Sequence, residues 1–251
     1  DPAAGGTIDA WVRRATRGKI ERAVSEAPDP ETALLLVSAA YFKGAWARPF
    51  DRAETRDGAF TPAGKEAKRR PIMHQAGRFR YLELDGRFAA VALPYKGGRY
   101  AMYVFLPDRA SGLAEFCRRV DAGDWEEWHG RFEERDGMVG LPRFRAEYGA
   151  ELSEALRGLG MRSAFDPARA DFGPMLERPA GRLYLRRVEH RGYVSVDETG
   201  TEAAGATAVE MVPEGVPRRP FRFEADRPFL WAIVEEETGA PAFLGSIADL
   251  P

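Results

Sequence analysis

Hydrophobic residues in this chain come in short bursts separated by glycine and proline, and the spacing inside each burst sorts it into helix or strand. After Thr7, the apolar positions Ile8, Trp11, Val12 and Ala15 recur at helical spacing, with Thr7 as the expected cap and Gly18 as the stop. Ala33 to Phe42 is an almost unbroken apolar run, interrupted only at Ser38 and stopped by Lys43-Gly44. Such a run predicts a central strand buried on both faces. Phe79 to Leu84, Phe88 to Leu93 and Tyr100 to Leu106 read as three strands of a meander, turning at Asp85-Gly86 and Gly97-Gly98. Leu113 to Val120 and Trp125 to Phe132 predict two short helices, and Met138 to Phe144 another strand. Leu152, Leu156 and Leu159 form a helical stripe ended by Gly160. Leu183 to Val196 alternates as a strand, and Phe229 to Val234 with Phe243 to Ile247 predicts a closing hairpin.

The class is therefore α+β, with several mainly antiparallel sheets and few helices. The 251 residues contain no internal repeat and no linker long enough to divide domains, so a single domain over 1–251 is expected. Hydrophobic residues make up 44% and charged residues 30%, an ordinary globular balance rather than a disordered one. No apolar run is long enough to span a bilayer as a helix, and a net charge of −2 gives no general reason to expect nucleic acid or an anionic membrane as partner. The one cysteine, Cys117, excludes an internal disulfide. It follows Phe116 on a predicted helix and reads as a buried small hydrophobe.

Catalytic chemistry finds no anchor. His74, His129 and His190 have no metal-ligand spacing, the Gly-x-Ser-x-Gly elbow is absent, and Gly97-Gly98 lacks the Lys-Ser/Thr of a phosphate loop. Lys65 to Arg70 reads as a solvated hairpin tip and Glu235-Glu236-Glu237 as an exposed turn. The expectation is a protein that is not an enzyme and needs no metal or other cofactor.

Residues 198–217 are different. Read with period two, Thr201, Ala203, Gly205, Thr207, Val209 and Met211 share one face, while Glu202, Ala204, Ala206, Ala208, Glu210 and Val212 share the other. Both of these glutamates lie on one face and the opposite face is uncharged, the pattern of a strand that buries one side. Its small side chains would slide into a sheet with little steric resistance. A flexible Ala/Gly-rich surface loop is the plainer alternative.

Three motifs resemble those of the serpins, the protease inhibitors that trap their targets by a change of conformation. Gly200-Thr201-Glu202-Ala203-Ala204-Gly205-Ala206-Thr207 is similar to the hinge of inhibitory members. Phe223-Glu224-Ala225-Asp226-Arg227-Pro228-Phe229-Leu230-Trp231-Ala232-Ile233 resembles the family signature after the reactive loop. Ala39-Ala40-Tyr41-Phe42-Lys43-Gly44-Ala45-Trp46, followed by Pro49-Phe50, resembles the strand and turn at the top of the main sheet. Lesser matches at Leu93-Pro94-Tyr95, Phe105-Leu106-Pro107, Leu141-Pro142-Arg143-Phe144 and Ala170-Asp171-Phe172 keep the family order.

The resemblance implies a reactive loop over about 198–220, with Glu198 opening the hinge and Thr201 the first residue to enter the sheet. Family loop length, counted from Glu198, places the scissile bond at Glu214-Gly215, with Met211 or Val212 as the alternative bait. The implied partner is a serine protease of Glu or Asp specificity, engaged by a monomer; the sequence leaves the compartment open, and the resemblance favours an extracellular one. The resemblance sets His190, Ser38 and Trp46 around the opening of the sheet. Ser38 stands where the family has an asparagine, and a plain core histidine is the other reading of His190. The match covers the C-terminal two thirds of the family fold, so the chain is expected to be N-terminally truncated, leaving apolar sheet faces open. The alternatives to an inhibitor are a non-inhibitory binding protein of the same fold, or an inactive fragment.

Overall fold

The computed structural model describes residues 3–24, 34–175, 183–201 and 220–250. In chain order the helices are α1 (Ala4–Ala15), α2 (Gly112–Arg119), α3 (Ala122–His129) and α4 (Ser153–Gly158). The strands are β1 (Leu35–Tyr41), β2 (Gly44–Ala45), β3 (Arg56–Phe60), β4 (Lys68–Leu84), β5 (Phe88–Pro94), β6 (Tyr100–Pro107) and β7 (Glu133–Pro142). They continue with β8 (Phe144–Glu151), β9 (Arg187–Asp197), β10 (Gly200–Thr201), β11 (Phe221–Glu224), β12 (Phe229–Glu235) and β13 (Pro241–Ile247). The residues group into two compact units, Asp1–Phe42 with Arg145–Val194 and Lys43–Phe144 with Ser195–Pro251.

In the first unit β1 lies parallel to β9, from Leu35 opposite Arg187 to Tyr41 opposite Tyr193, and β8 pairs with β9 as well. One face of this strand group is covered by α1 and its tail: Val12, Ile20 and Ala23 are buried with Tyr193 against Val37, Ala39 and Tyr41. A second cluster joins Phe165, Leu185 and Val188 with Leu152 and Leu156 of the α4 region. Two expectations change here. The helix starts at Ala4, so Thr7 lies inside it, and its hydroxyl donates back to the Ala3 carbonyl rather than capping. β1 is not buried on both faces: its residues are half-buried or exposed, and Leu36 is 49% exposed. Among the described residues β1 has one strand partner, β9, so an apolar run specified a strand but not a covered one. The predicted α4 stripe is real at Leu152 and Leu156, while Leu159, at its end, is exposed.

The second unit is built on a sheet of order β11-β7-β4-β5-β6-β12-β13, with β3 added to β4. The β4-β5-β6 meander and the β12-β13 hairpin fall where alternation and turns placed them. β4 begins much earlier than its apolar part suggested. Its first residues pair with β3, its middle with β7 and its end with β5. Side chains alternating along β5, β6 and β12 put Phe88, Ala90, Ala92, Tyr103, Phe105, Ala232 and Val234 in one core with Phe116 of α2 and Trp128 of α3. The small residues leave room for the large ones, which is how such a layer reaches interior density. α3 is started by a capping box: Asp121 accepts from the Asp124 amide at 2.9 Å, and Asp124 accepts from the Asp121 amide at 3.2 Å.

Three surface expectations are corrected in this unit. Cys117 is exposed, because Phe116 takes the inward position of α2. Lys65 to Arg70 is less a free tip than a tie to the C-terminus: Lys65 and Lys68 both reach the Asp249 carboxylate at 2.9 Å. Glu236 is no idle turn residue, since it accepts from Tyr103 at 2.8 Å and pairs with Arg80.

Candidate functional site

The segment Glu198–Thr201 is where the resemblance puts the start of the reactive loop, and the second unit holds it tightly. β10 pairs antiparallel with the end of β9 (Gly200 opposite Asp197, Thr201 opposite Val196) and with β2 (Gly200 opposite Ala45, Thr201 opposite Gly44). It is thus a two-residue strand with a neighbour on each side. Thr199 shapes the turn before it, its amide and hydroxyl both donating to Asp197 Oδ1, at 2.8 and 2.6 Å. Gly200 has φ +147°, and a Cβ there would fall 2.2 Å from the Gly44 carbonyl oxygen. Only glycine fits so close to a neighbouring backbone.

Glu198 is buried, with 2% of its side chain exposed. Its Oε1 accepts from the Thr55 hydroxyl at 2.6 Å and from Arg143 Nε at 2.8 Å. Burial alone would raise this carboxyl, but the donors from Arg143 and Thr55 outweigh it and hold the group below its ordinary range. The Glu198 carbonyl accepts from the Phe50 amide at 2.9 Å, so the residue is fixed by backbone and side chain. Thr201 is fully buried, and its hydroxyl shares a 2.7 Å hydrogen bond with the Tyr95 hydroxyl. Burial pushes the Tyr95 phenol far up, and the bond to Thr201 only partly offsets this, so the ring remains a neutral hydrogen-bonding partner.

Trp46 joins these parts. Its indole N–H donates to the Asp197 carbonyl at 2.9 Å and its amide to the Thr199 carbonyl at 3.0 Å. Its ring stacks on Tyr95 with centroids 4.6 Å apart. The structure therefore gathers four residues named from sequence, Glu198, Gly200, Thr201 and Trp46. It adds three that sequence reasoning had given no role: Thr55, Arg143 and Tyr95. Arg143 stands in the motif Leu141-Pro142-Arg143-Phe144, but the signal for its role is chemical, since a buried carboxylate demands a cation.

Ser38 and His190 lie in the first unit and face each other across β1 and β9, with Ser38 Oγ 3.3 Å from His190 Nδ1. The neighbouring Glu189 is 1% exposed and meets Arg187 Nε at 3.0 Å. Glu202, Ala203, Ala204, Gly205, Ala206, Thr207, Glu214 and Gly215 lie outside the described residues. Among the described residues no group of three His, Cys, Asp or Glu side chains is placed to hold a metal ion. Although its side chain reaches the surface, desolvation by the surrounding protein raises the Cys117 thiol, away from a reactive thiolate.

A family model described as Serpin (serine protease inhibitor) matches residues 1–250. The chain belongs to the serpin family. Serpin-ZX of Hordeum vulgare is 32% identical over 256 residues, a match covering 98% of this chain and 64% of that protein. Antithrombin-III of Homo sapiens is 32% identical over 243 residues, covering 96% of this chain and 52% of its own. The crystal structure of a thermophilic serpin, tengpin, in the native state superposes with a TM-score of 0.87 at 27% identity, covering 100% of this chain and 64% of that one. This serpin thus spans between 52% and 64% of the length of these relatives. Its mixed, multi-sheet architecture with few helices is the serpin-like fold expected from the motifs.

Proposed function

We propose that this serpin is an inhibitor of serine endopeptidases that works by loop insertion, not an enzyme. The observation that carries the reading is β10. Gly200 and Thr201 already form a strand hydrogen-bonded on both sides, so the residues after Thr201 need only continue that strand. β10 runs antiparallel to β9, and β1 runs parallel to β9. A strand extended along β9 would thus be antiparallel to both, the more favourable pairing. It would replace one parallel interface by two antiparallel ones.

The target's serine attacks the carbonyl of Glu214, the bond to Gly215 breaks, and the new amine leaves with the downstream chain. The acylated Glu214 is then carried away as the residues after Thr201, from Glu202 to Met211, insert beyond the β10 already in place. About a dozen added ladder hydrogen bonds at ~0.5–1.5 kcal/mol each give of order 10 kcal/mol, comparable with the stability of a whole domain. The face that turns inward (Thr201, Ala203, Gly205, Thr207, Val209, Met211) has no charge to desolvate. Glu214 as bait selects a protease with a basic specificity pocket.

Incubation with a Glu-specific serine protease tests this. An SDS-stable covalent complex, with a peptide starting at Gly215 released, is the expected result. Cleavage after Glu214 without any complex would leave a substrate or a non-inhibitory binding protein, and would refute the inhibitory reading.

A further inference from the structure

In the first unit, the tail of α1 and the β8–β9 pair line a half-open cavity of about 660 Å³, within the size range of small-molecule sites. Four cationic side chains line it, Lys19, Arg22, Arg145 and Arg191, against the two carboxylates Glu21 and Glu147. We propose that this cavity binds a compact polyphosphate anion.

The cations are arranged rather than scattered. Arg191 is pinned, its Nε donating to the Ala23 carbonyl at 2.9 Å and its Nη2 lying 3.8 Å from the buried Glu189 carboxylate. Its guanidinium lies across β8 at Gly149, where a Cβ would fall 1.7 Å from Nη1; the strand makes way for the charge. Lys19 Nζ and the Arg145 guanidinium both approach one ring, Tyr193, at 5.6 and 5.1 Å from its centroid. Each cation meets the ring's electron-rich face or edge region rather than open water, so the ring gathers positive charge at the cavity wall. Arg145 also contacts Glu147, which neutralises one of the two acids. Arg22 is exposed and makes no ion pair among the described residues, and its long side chain can reach a ligand in the cavity.

The surrounding field has the same sign. From Arg13 to Arg22 the chain carries Arg13, Arg14, Arg17, Lys19 and Arg22 against Glu21 alone, in a protein whose net charge is −2. Such a local excess concentrates anions. Guanidinium groups match phosphate oxygens in paired hydrogen bonds, and charges spread across a cavity of this size favour several linked phosphates over one.

Occupancy has a mechanical consequence. The α1 tail packs on β1 through Val37, Ala39 and Tyr41 and on β9 through Tyr193. An anion joining Lys19 and Arg22 to Arg145 and Arg191 ties that tail to β8 and β9, and so resists the parting of β1 from β9. Slower loop insertion then follows; this consequence rests on the inhibitory reading, whereas binding does not.

Isothermal titration calorimetry with sodium tripolyphosphate is the test. A saturable one-to-one isotherm is expected, weakening with added NaCl, and weakened at least about tenfold in Arg22→Gln/Arg145→Gln. No saturable heat, or equal affinity in that variant, overturns the site. Hydrogen exchange on the unmodified chain gives a readout that needs no variant. Tripolyphosphate should protect amides of residues 18–23 and 145–149, and unchanged exchange there also overturns the proposal. Binding that leaves the rate of protease-complex formation unchanged would overturn the coupling to insertion while the site itself stands.

Discussion

Replacing Glu198 by Gln should loosen the hinge before any protease is present. The carboxylate accepts from Thr55 at 2.6 Å and from Arg143 at 2.8 Å with 2% of its side chain exposed. Hydrogen bonds to a charged group contribute ~1.5–3 kcal/mol each. Gln keeps the shape and one acceptor but removes the charge, and turns an amide donor toward donors already there. Arg143 is 45% exposed and recovers water when its partner is lost, so the sum is discounted to ~2–4 kcal/mol. The pH dependence has a definite sign. The folded carboxyl sits below its ordinary range, so its contribution is complete above the unfolded value of about 4.3 and is lost as pH falls through the lowered folded value. Urea is the appropriate denaturant because an ionic one would screen the pair. Unfolding midpoints of parent and variant should be well separated at pH 7 and converge below about pH 4. A variant within ~0.5 kcal/mol of the parent at pH 7 would refute the argument. So would a gap that stays constant down to pH 3, since it would show that the charge does not matter.

Gly200→Ala should cost at least ~1–3 kcal/mol in the same unfolding measurement, because the left-handed φ and the 2.2 Å approach to Gly44 both exclude a Cβ; an unchanged midpoint would remove the reason for glycine there. Tyr95→Phe should cost ~1–3 kcal/mol by leaving the buried Thr201 hydroxyl unpaired, and Thr201→Val on top of it should cost little more. Strictly additive losses would mean that the two hydroxyls are not coupled. Under the proposed function, Thr201→Arg should give cleavage without complex, since a fully buried position cannot take a guanidinium; undiminished complex formation would sink the hinge assignment.

Much of the second unit could be read from the chain because its elements obey local rules. Phe88, Ala90 and Ala92 alternate inward, and Asp85-Gly86 and Gly97-Gly98 end strands where turns are needed. The first half of β4 escaped notice because Lys68, Arg69, Arg70 and Pro71 look unlike a strand, although β3 and β7 supply the pairing that makes it one. β1 was recognised as a strand, but not its cover, because apolar content says nothing about how many neighbours a strand finds. Cys117 was misplaced because one helical position separates the inward Phe116 from the surface. At the hinge, motif and period picked out Glu198, Gly200, Thr201 and Trp46. Thr55 carries no local mark, and Tyr95 and Arg143 are marked only as members of short motifs that give them no role, since each acts through a partner distant in sequence.

The proposed insertion also needs a place where a sheet will part, and the pairing of β1 with β9 has the properties required. It is a parallel ladder, slightly weaker per residue than an antiparallel one. Its facing residues include small and polar partners: Ser38 opposite His190, Ala39 opposite Arg191 and Ala40 opposite Gly192. By contrast, β12 in the second unit is flanked on both sides by antiparallel neighbours and buries Phe229, Trp231, Ala232, Ile233 and Val234. Parting β12 from either neighbour would expose several large side chains at ~1.5–3 kcal/mol each. On the β1 side of the β1–β9 ladder less is newly exposed, because Leu36 and Ser38 are already exposed. The Ser38–His190 contact at 3.3 Å is then the polar fastening across the seam. A serine reaches less far than an amide and offers one group where an amide offers two. Ser38→Asn should therefore strengthen the fastening, raising the unfolding midpoint of the uncleaved protein while slowing complex formation with protease. A variant that changes neither would show that the seam opens without regard to this pair.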